Sequence, residues 1–155
     1  MKFSIANARK SCDDLKRYYS TYVDFLGKYA SHILLLFIRI SVGYAFWDSG
    51  LTKLSSIDNT IILFEYEYDL PFLSPVVGAY ASIFAELVFG GAIIAGFVTR
   101  LSAIPLIIMT LIIQFLVIQN TEHFTWLFQL CTLAIYGGGF ISLDGFVCKF
   151  LCKKK

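Results

Sequence analysis

The chain has 155 residues and a formal net charge of +2; 57% of its residues are hydrophobic and only 15% are charged. A soluble domain is typically ~25% charged, and a globule of this length has too little interior to hide so much apolar surface. The same figures exclude intrinsic disorder, and four cysteines do not suggest a disulfide-stapled secreted domain, which leaves a single-domain integral membrane protein of all-α class.

Residues 1–29 form a basic, polar segment ahead of the apolar region. Within it Leu15, Tyr18, Tyr19, Tyr22, Leu26 and Tyr29 fall on one helical stripe that Asp13, Asp14, Lys16, Arg17, Asp24 and Lys28 avoid. Ser11 and Asp14 have the spacing of a capping pair. The expectation is an amphipathic helix, lying either on the cytoplasmic leaflet or against the end of the bundle. A cleaved leader is not expected, because the run Ile33–Ile38 is shorter than the usual ~7–15 apolar residues.

A membrane-crossing helix needs ~20 mostly apolar residues. Four segments qualify within a membrane domain of residues 30–145: 33–54, 76–98, 101–118 and 124–143. The first is interrupted by Arg39, Asp48 and Lys53, and the second carries Glu86. Backbone groups in lipid must be bonded within their own segment, so a four-helix bundle is expected. The link at 55–75 is acidic, with Asp58, Glu65, Glu67 and Asp69. Asn59–Tyr68 reads as a short interfacial helix, and Pro71 and Pro75 impose extended backbone before the second span. Basic residues gather in the first 29 positions, at Arg100, and in the tail 146–155, so both termini are expected to be cytoplasmic.

Ionisable residues inside a bilayer are costly and therefore informative. Arg39, Gly43, Phe46, Gly50 and Lys53 share one stripe of the first span; Ala79, Ser82, Glu86 and Gly90 share one of the second. Small residues on both stripes let two helices approach closely, so the stripes are expected to face one another. Depth slightly favours Arg39 as the partner of Glu86, whereas side-chain tilt favours Lys53. Lys53–Glu86 is the expected pair, with Arg39 as the alternative and Gln114 near the same depth as a further network member. The pair serves either to fix helix register or to line a polar cavity.

Other chemistries lack their residues. His32 and His123 are expected at opposite edges, which disfavours a haem held by both. No Cys-x-x-Cys, metal-ligand cluster or phosphate loop occurs, and Cys148 and Cys152 read as bystander thiols. Metal binding and nucleic-acid binding are not expected.

The order of these residues resembles the DoxX family of small four-helix membrane proteins. It is carried by Arg39-x3-Gly43, Gly50-x2-Lys53-Leu54, Glu86-x3-Gly90, Gly96-x2-Thr99-Arg100 and the closing Gly137-Gly138-Gly139-Phe140-Ile141-Ser142-Leu143-Asp144. The family often has proline where Gly138 stands. The resemblance spans about residues 33–144 and marks Gly43, Gly50, Gly90, Thr99, Arg100 and Asp144 as motif positions beside Arg39, Lys53 and Glu86. It implies a redox-associated inner-membrane protein, linked to quinone or thiol chemistry, that acts as an accessory oxidoreductase subunit. Quinone is the implied cofactor, and the implied partners are a protein of a redox complex and the lipid bilayer, with a homo-oligomer left open. The alternative is a non-catalytic scaffold or lipid-binding protein with a structural ion pair.

Overall fold

A computed structural model describes the backbone of residues 2–68, 73–117 and 121–152, and the side chains of these except 2–12, 28, 148 and 150–152. The described residues are helical with short connections, and no strand occurs among them. They divide into two compact units, residues 1–34 and 35–155. Pro71, Asp69 and Ile118, and the side chains of Ser11, Cys148 and Cys152, lie outside the described residues.

Helix α1 runs Lys2–Ser55. Ser11 therefore lies within the helix and not at its start, and the backbone has no break near residue 30. The stretch before the apolar run contains no proline and a single glycine, Gly27, and its polar, β-branched and aromatic residues weaken a helix without ending it. In the unit of residues 1–34, the stripe Leu15, Tyr18, Tyr19, Tyr22, Leu26 and Tyr29 is exposed throughout.

In the unit of residues 35–155, α1 leads through Ser56 into α2 (Ile57–Leu63), which passes into a π turn at Phe64–Tyr68. Helix α3 (Pro75–Ala95) opens with proline in its first turn and an extended Ser74 before it, as the ring of Pro75 demands. It ends at Gly96, whose φ of 71° suits the left-handed turn. There Gly96 N–H donates to Ile93 O at 3.0 Å and Phe97 N–H to Ala92 O at 2.9 Å, the paired bonds of a Schellman termination. Helix α4 (Thr99–Ile112) contains Pro105 and continues as a π turn at Ile113–Val117. Helix α5 (Thr121–Tyr136) stops seven residues short of the expected Leu143. Gly137 takes a φ of 76° and turns the chain, whereas hydropathy alone runs on through Phe140 and Ile141. Helix α6 (Leu143–Cys152) follows.

Among the described residues three helical stretches are long and apolar enough to cross a membrane: Asp13–Ser55, Pro75–Ala95 and Thr99–Val117. The core is built by Leu35, Val42 and Phe46 of α1, Ile93 of α3, Ala103 and Leu106 of α4, and Leu130 and Leu133 of α5. Polarity is reversed relative to a soluble bundle. Arg39, Ser82, Glu86, Thr110 and Gln114 are buried, while Phe37, Phe84, Leu101, Ile108 and Phe128 are exposed. This arrangement suits a surface whose solvent is hydrocarbon; the chain is an all-α membrane protein.

Helices α1 and α3 touch along their small residues. A Cβ on Gly43 would stand 3.1 Å from Gly90 O, and one on Gly90 would stand 3.2 Å from both Gly43 O and Trp47 N. A Cβ on Gly50 would meet the Glu86 Cβ at 3.1 Å. Such close approach is what glycine on facing stripes permits.

Candidate functional site

Gly50 brings α1 against α3 beside Glu86, and Lys53 lies one turn further along α1. The Lys53 ammonium donates to Glu86 Oε1 in a direct ion pair. Backbone placement of Lys53 is fixed from the other side, where the Thr60 hydroxyl shares its proton between Lys53 O and Ser56 O at 3.1 Å each. Ser49 adjoins the carboxylate. Glu86 is only 2% exposed, and its Oε2 makes no hydrogen bond.

This pair lines a chamber of about 260 Å³ enclosed by α1, α3, α4 and α5. Phe46 and Trp126 form an aromatic wall with ring centroids 5.6 Å apart, and His123 stands 5.3 Å from Trp126. His123 also lines the chamber, and its Nδ1 is buried without a partner. Thr110 completes the polar side, with its own hydroxyl bonded back to Leu106 O at 2.7 Å. The chamber therefore offers a cation, a carboxylate and an imidazole around aromatic carbon. Trp47 does not face it and covers Gly91 instead, where a Cβ would stand 2.6 Å from the indole Cζ3.

A second hollow of about 350 Å³ lies between α3 and α4. Gly78, Ala81, Ser82 and Ala85 form one wall, and Pro105, Ile108, Met109, Ile112 and Ile113 the other. The Phe64–Tyr68 π turn closes one end. Lys53, Tyr68, Met109 and Ile113 line both hollows. Tyr68, in the connection between α1 and α3, is held above the ordinary tyrosine pKa by burial first and then by the Glu86 and Glu67 carboxylates. It stands at the neck as a neutral phenol.

The remaining motif residues are elsewhere. Arg39 does not reach Glu86; its Nη1 donates to Gly138 O at 3.0 Å and its Nη2 to Ile141 O at 2.9 Å. Asp144 accepts from Val98 N–H at 2.6 Å and Thr99 N–H at 2.8 Å, and its own N–H donates to Gly96 O at 3.0 Å. These contacts satisfy donors at the start of α4, where a negative charge is also favoured by the helix dipole. Arg100 lies beside Gly137, at 3.2 Å from where a Cβ would be. Arg39, Thr99, Arg100 and Asp144 thus form a clasp around two glycine turns, while Gly43, Gly50 and Gly90 set helix spacing. Gln114 is buried in the second π turn and engaged there, but does not line the chamber.

Sequence reasoning did not place His123, Trp126, Thr110 or Tyr68 at the site. None carries a local signature, and their convergence depends on how α5 and the first π turn pack. Among the described residues no group of three His, Cys, Asp or Glu side chains could hold a metal.

A family model described as DoxX matches residues 34–119. The match takes in Arg39, Lys53, Glu86, Thr99 and Arg100 and stops before His123, Trp126 and Asp144. No curated protein and no solved structure matches the chain.

Proposed function

The chain belongs to the DoxX family, and from that membership we propose that it is a quinone-binding, redox-associated subunit that works with a partner protein. The observation that carries this reading is the chamber beside Lys53 and Glu86, where two buried polar atoms, Glu86 Oε2 and His123 Nδ1, have no partner. Buried polar groups are normally bonded. A flat ring bearing two oxygens suits the space: Phe46 and Trp126 accept its faces, a quinol hydroxyl would donate to Glu86 Oε2, and a quinone carbonyl would accept from a proton on His123 Nδ1.

A bound quinone supplies a two-electron, two-proton couple. Lys53 donates a hydrogen bond toward an acceptor oxygen and holds Glu86 in place. Glu86 takes up or releases a proton at Oε2, and His123 offers a second site at Nδ1. The surrounding hydrocarbon excludes water. Electrons come from or go to the partner, as the family resemblance implies. Basic residues at both ends support an inner-membrane, multi-pass arrangement with cytoplasmic termini.

Purification in mild detergent, followed by extraction of quinone and its quantification against protein, tests this. Near-stoichiometric quinone that disappears in Glu86→Gln and Lys53→Met variants of normal elution profile supports it. Wild-type protein free of quinone overturns it. In that event the exposed stripe from Leu15 to Tyr29 favours the scaffold or lipid-binding reading, which predicts that deleting residues 1–29 abolishes partner or membrane-surface binding.

A further inference from the structure

The chamber accounts for a ring, but not for the larger hollow beside it. That hollow is apolar along its length. Lys53 and Tyr68 stand only at the neck it shares with the chamber, and the Ser82 hydroxyl is already bonded to Ala79 O at 2.9 Å. Gly78, Ala81, Ser82 and Ala85 recur at the spacing of one helix face, so the wall is low along a stretch of α3 about 10 Å long. Two neighbouring residues of α3 divide the work. Glu86 faces the chamber and Ala85 the groove. On the opposite side, exposed Ile108 marks the groove's lipid-facing rim.

We infer that the chamber and the groove are one bipartite site for an amphiphile, with the ring beside Lys53 and Glu86 and an alkyl or isoprenoid tail laid along the α3–α4 groove. This rests on the quinone reading and extends it to the substrate's chain. The tail passes the neck formed by Lys53, Tyr68, Met109 and Ile113. Met109 suits that position, because an unbranched thioether adapts to a chain sliding past it. Both π turns border the neck, through Tyr68 and Ile113. A π turn inserts one extra residue into a helix and is frequent at functional sites. A tail that leaves lipid or detergent gains nothing from the transfer itself, so its affinity comes from the packing contacts that the groove walls add.

The test compares two ligands on the full-length protein in detergent: a tailless dimethoxy-methyl-benzoquinone and the same ring bearing a decyl chain. Bound ligand is measured after rapid desalting. The wild type is compared with Ala81→Phe, which fills the groove from an exposed rim position, and with Ala85→Leu as a second filling variant. Phe84→Trp, on the outward face, is the control. Taking the ratio of the two affinities within each protein, and comparing ratios between proteins, cancels partition into detergent. The expected result is a decyl preference of about tenfold or more in the wild type and Phe84→Trp. It falls to about twofold or less in the filled variants while the tailless ring binds as before. A decyl-to-tailless ratio that is the same in the wild type and the filled variants, or filled variants that lose both ligands together, overturns the groove assignment and leaves the ring site standing. Wild type that binds neither ligand overturns the quinone reading and this inference with it. Phospholipid that co-purifies with the wild type but not with Ala81→Phe, without ring binding, assigns the groove to a lipid chain and overturns it as well.

Discussion

Asp144 holds Val98 in a left-handed backbone. Its Oδ1 accepts the Val98 N–H at 2.6 Å, and Val98 has a φ of 46°, a region that β-branched residues rarely enter. The turn joining α3 to α4 is thus stabilised by a residue of α6. Asp144→Ala should leave two N–H groups at the start of α4 unsatisfied and lower stability by about 1–2 kcal/mol. Thermal unfolding followed by monodispersity in detergent reads the loss. Val98→Gly, added to that variant, should recover part of it, because glycine adopts the same backbone without strain.

Glycine spacing makes a second prediction. Backbone atoms, which yield little, stand 3.2 Å from a Cβ on Gly90. Gly90→Leu should therefore separate α1 from α3 and cost roughly 1–3 kcal/mol or more. By contrast, a Cβ on Gly27 meets nothing within 4 Å, so Gly27→Ala should be neutral or raise helix stability by up to about 1 kcal/mol. Circular dichroism melts of the two variants check both signs.

The Lys53–Glu86 pair predicts strong non-additivity. Lys53→Met leaves a buried carboxylate without its cation and should cost on the order of 3 kcal/mol, whereas Lys53→Met combined with Glu86→Leu should cost less than that single change. A double-mutant cycle on unfolding in detergent measures the coupling. Additive losses would show that the two side chains act separately.

Tyr68 gives a pH dependence. Its folded pKa lies above its unfolded one because burial, then Glu86 and Glu67, disfavour the phenolate. The folded state therefore keeps its proton while the unfolded state loses one. Stability should be unaffected below the ordinary tyrosine value of about 10 and should fall as pH rises through it toward the folded value. Tyr68→Phe should flatten that alkaline fall. Stability measured on either side of the ordinary value, in both proteins, provides the check.

Much of the helical architecture was legible from hydropathy, since runs such as Leu101–Val117 have no alternative in hydrocarbon. The 3.6-residue period also put Gly43, Gly50 and Lys53 on one face and Glu86 and Gly90 on another, which is the geometry that the α1–α3 contact uses. Two boundaries were not legible. Gly137 ends α5 by conformation while apolarity continues, and α1 continues through polar residues because nothing in them forbids a helix. The partners of Arg39 were hidden for a different reason. They are the carbonyl oxygens of Gly138 and Ile141, and a backbone acceptor has no residue type to announce it. His123 falls in the turn between the third and fourth expected spans, which puts it at an edge by sequence. Its place beside Trp126 follows from the first turn of α5 facing inward, and no local pattern encodes that.

The chain has two tryptophans, and the fold gives them different surroundings. Trp126 belongs to the chamber wall, whereas Trp47 lies over Gly91 and is 36% exposed. The protein therefore contains its own optical reporter. In a Trp47→Phe background all indole emission would originate beside Glu86 and His123, and any electron-poor ring entering that space would extinguish it. Occupancy could then be followed in real time by light alone, with no label attached.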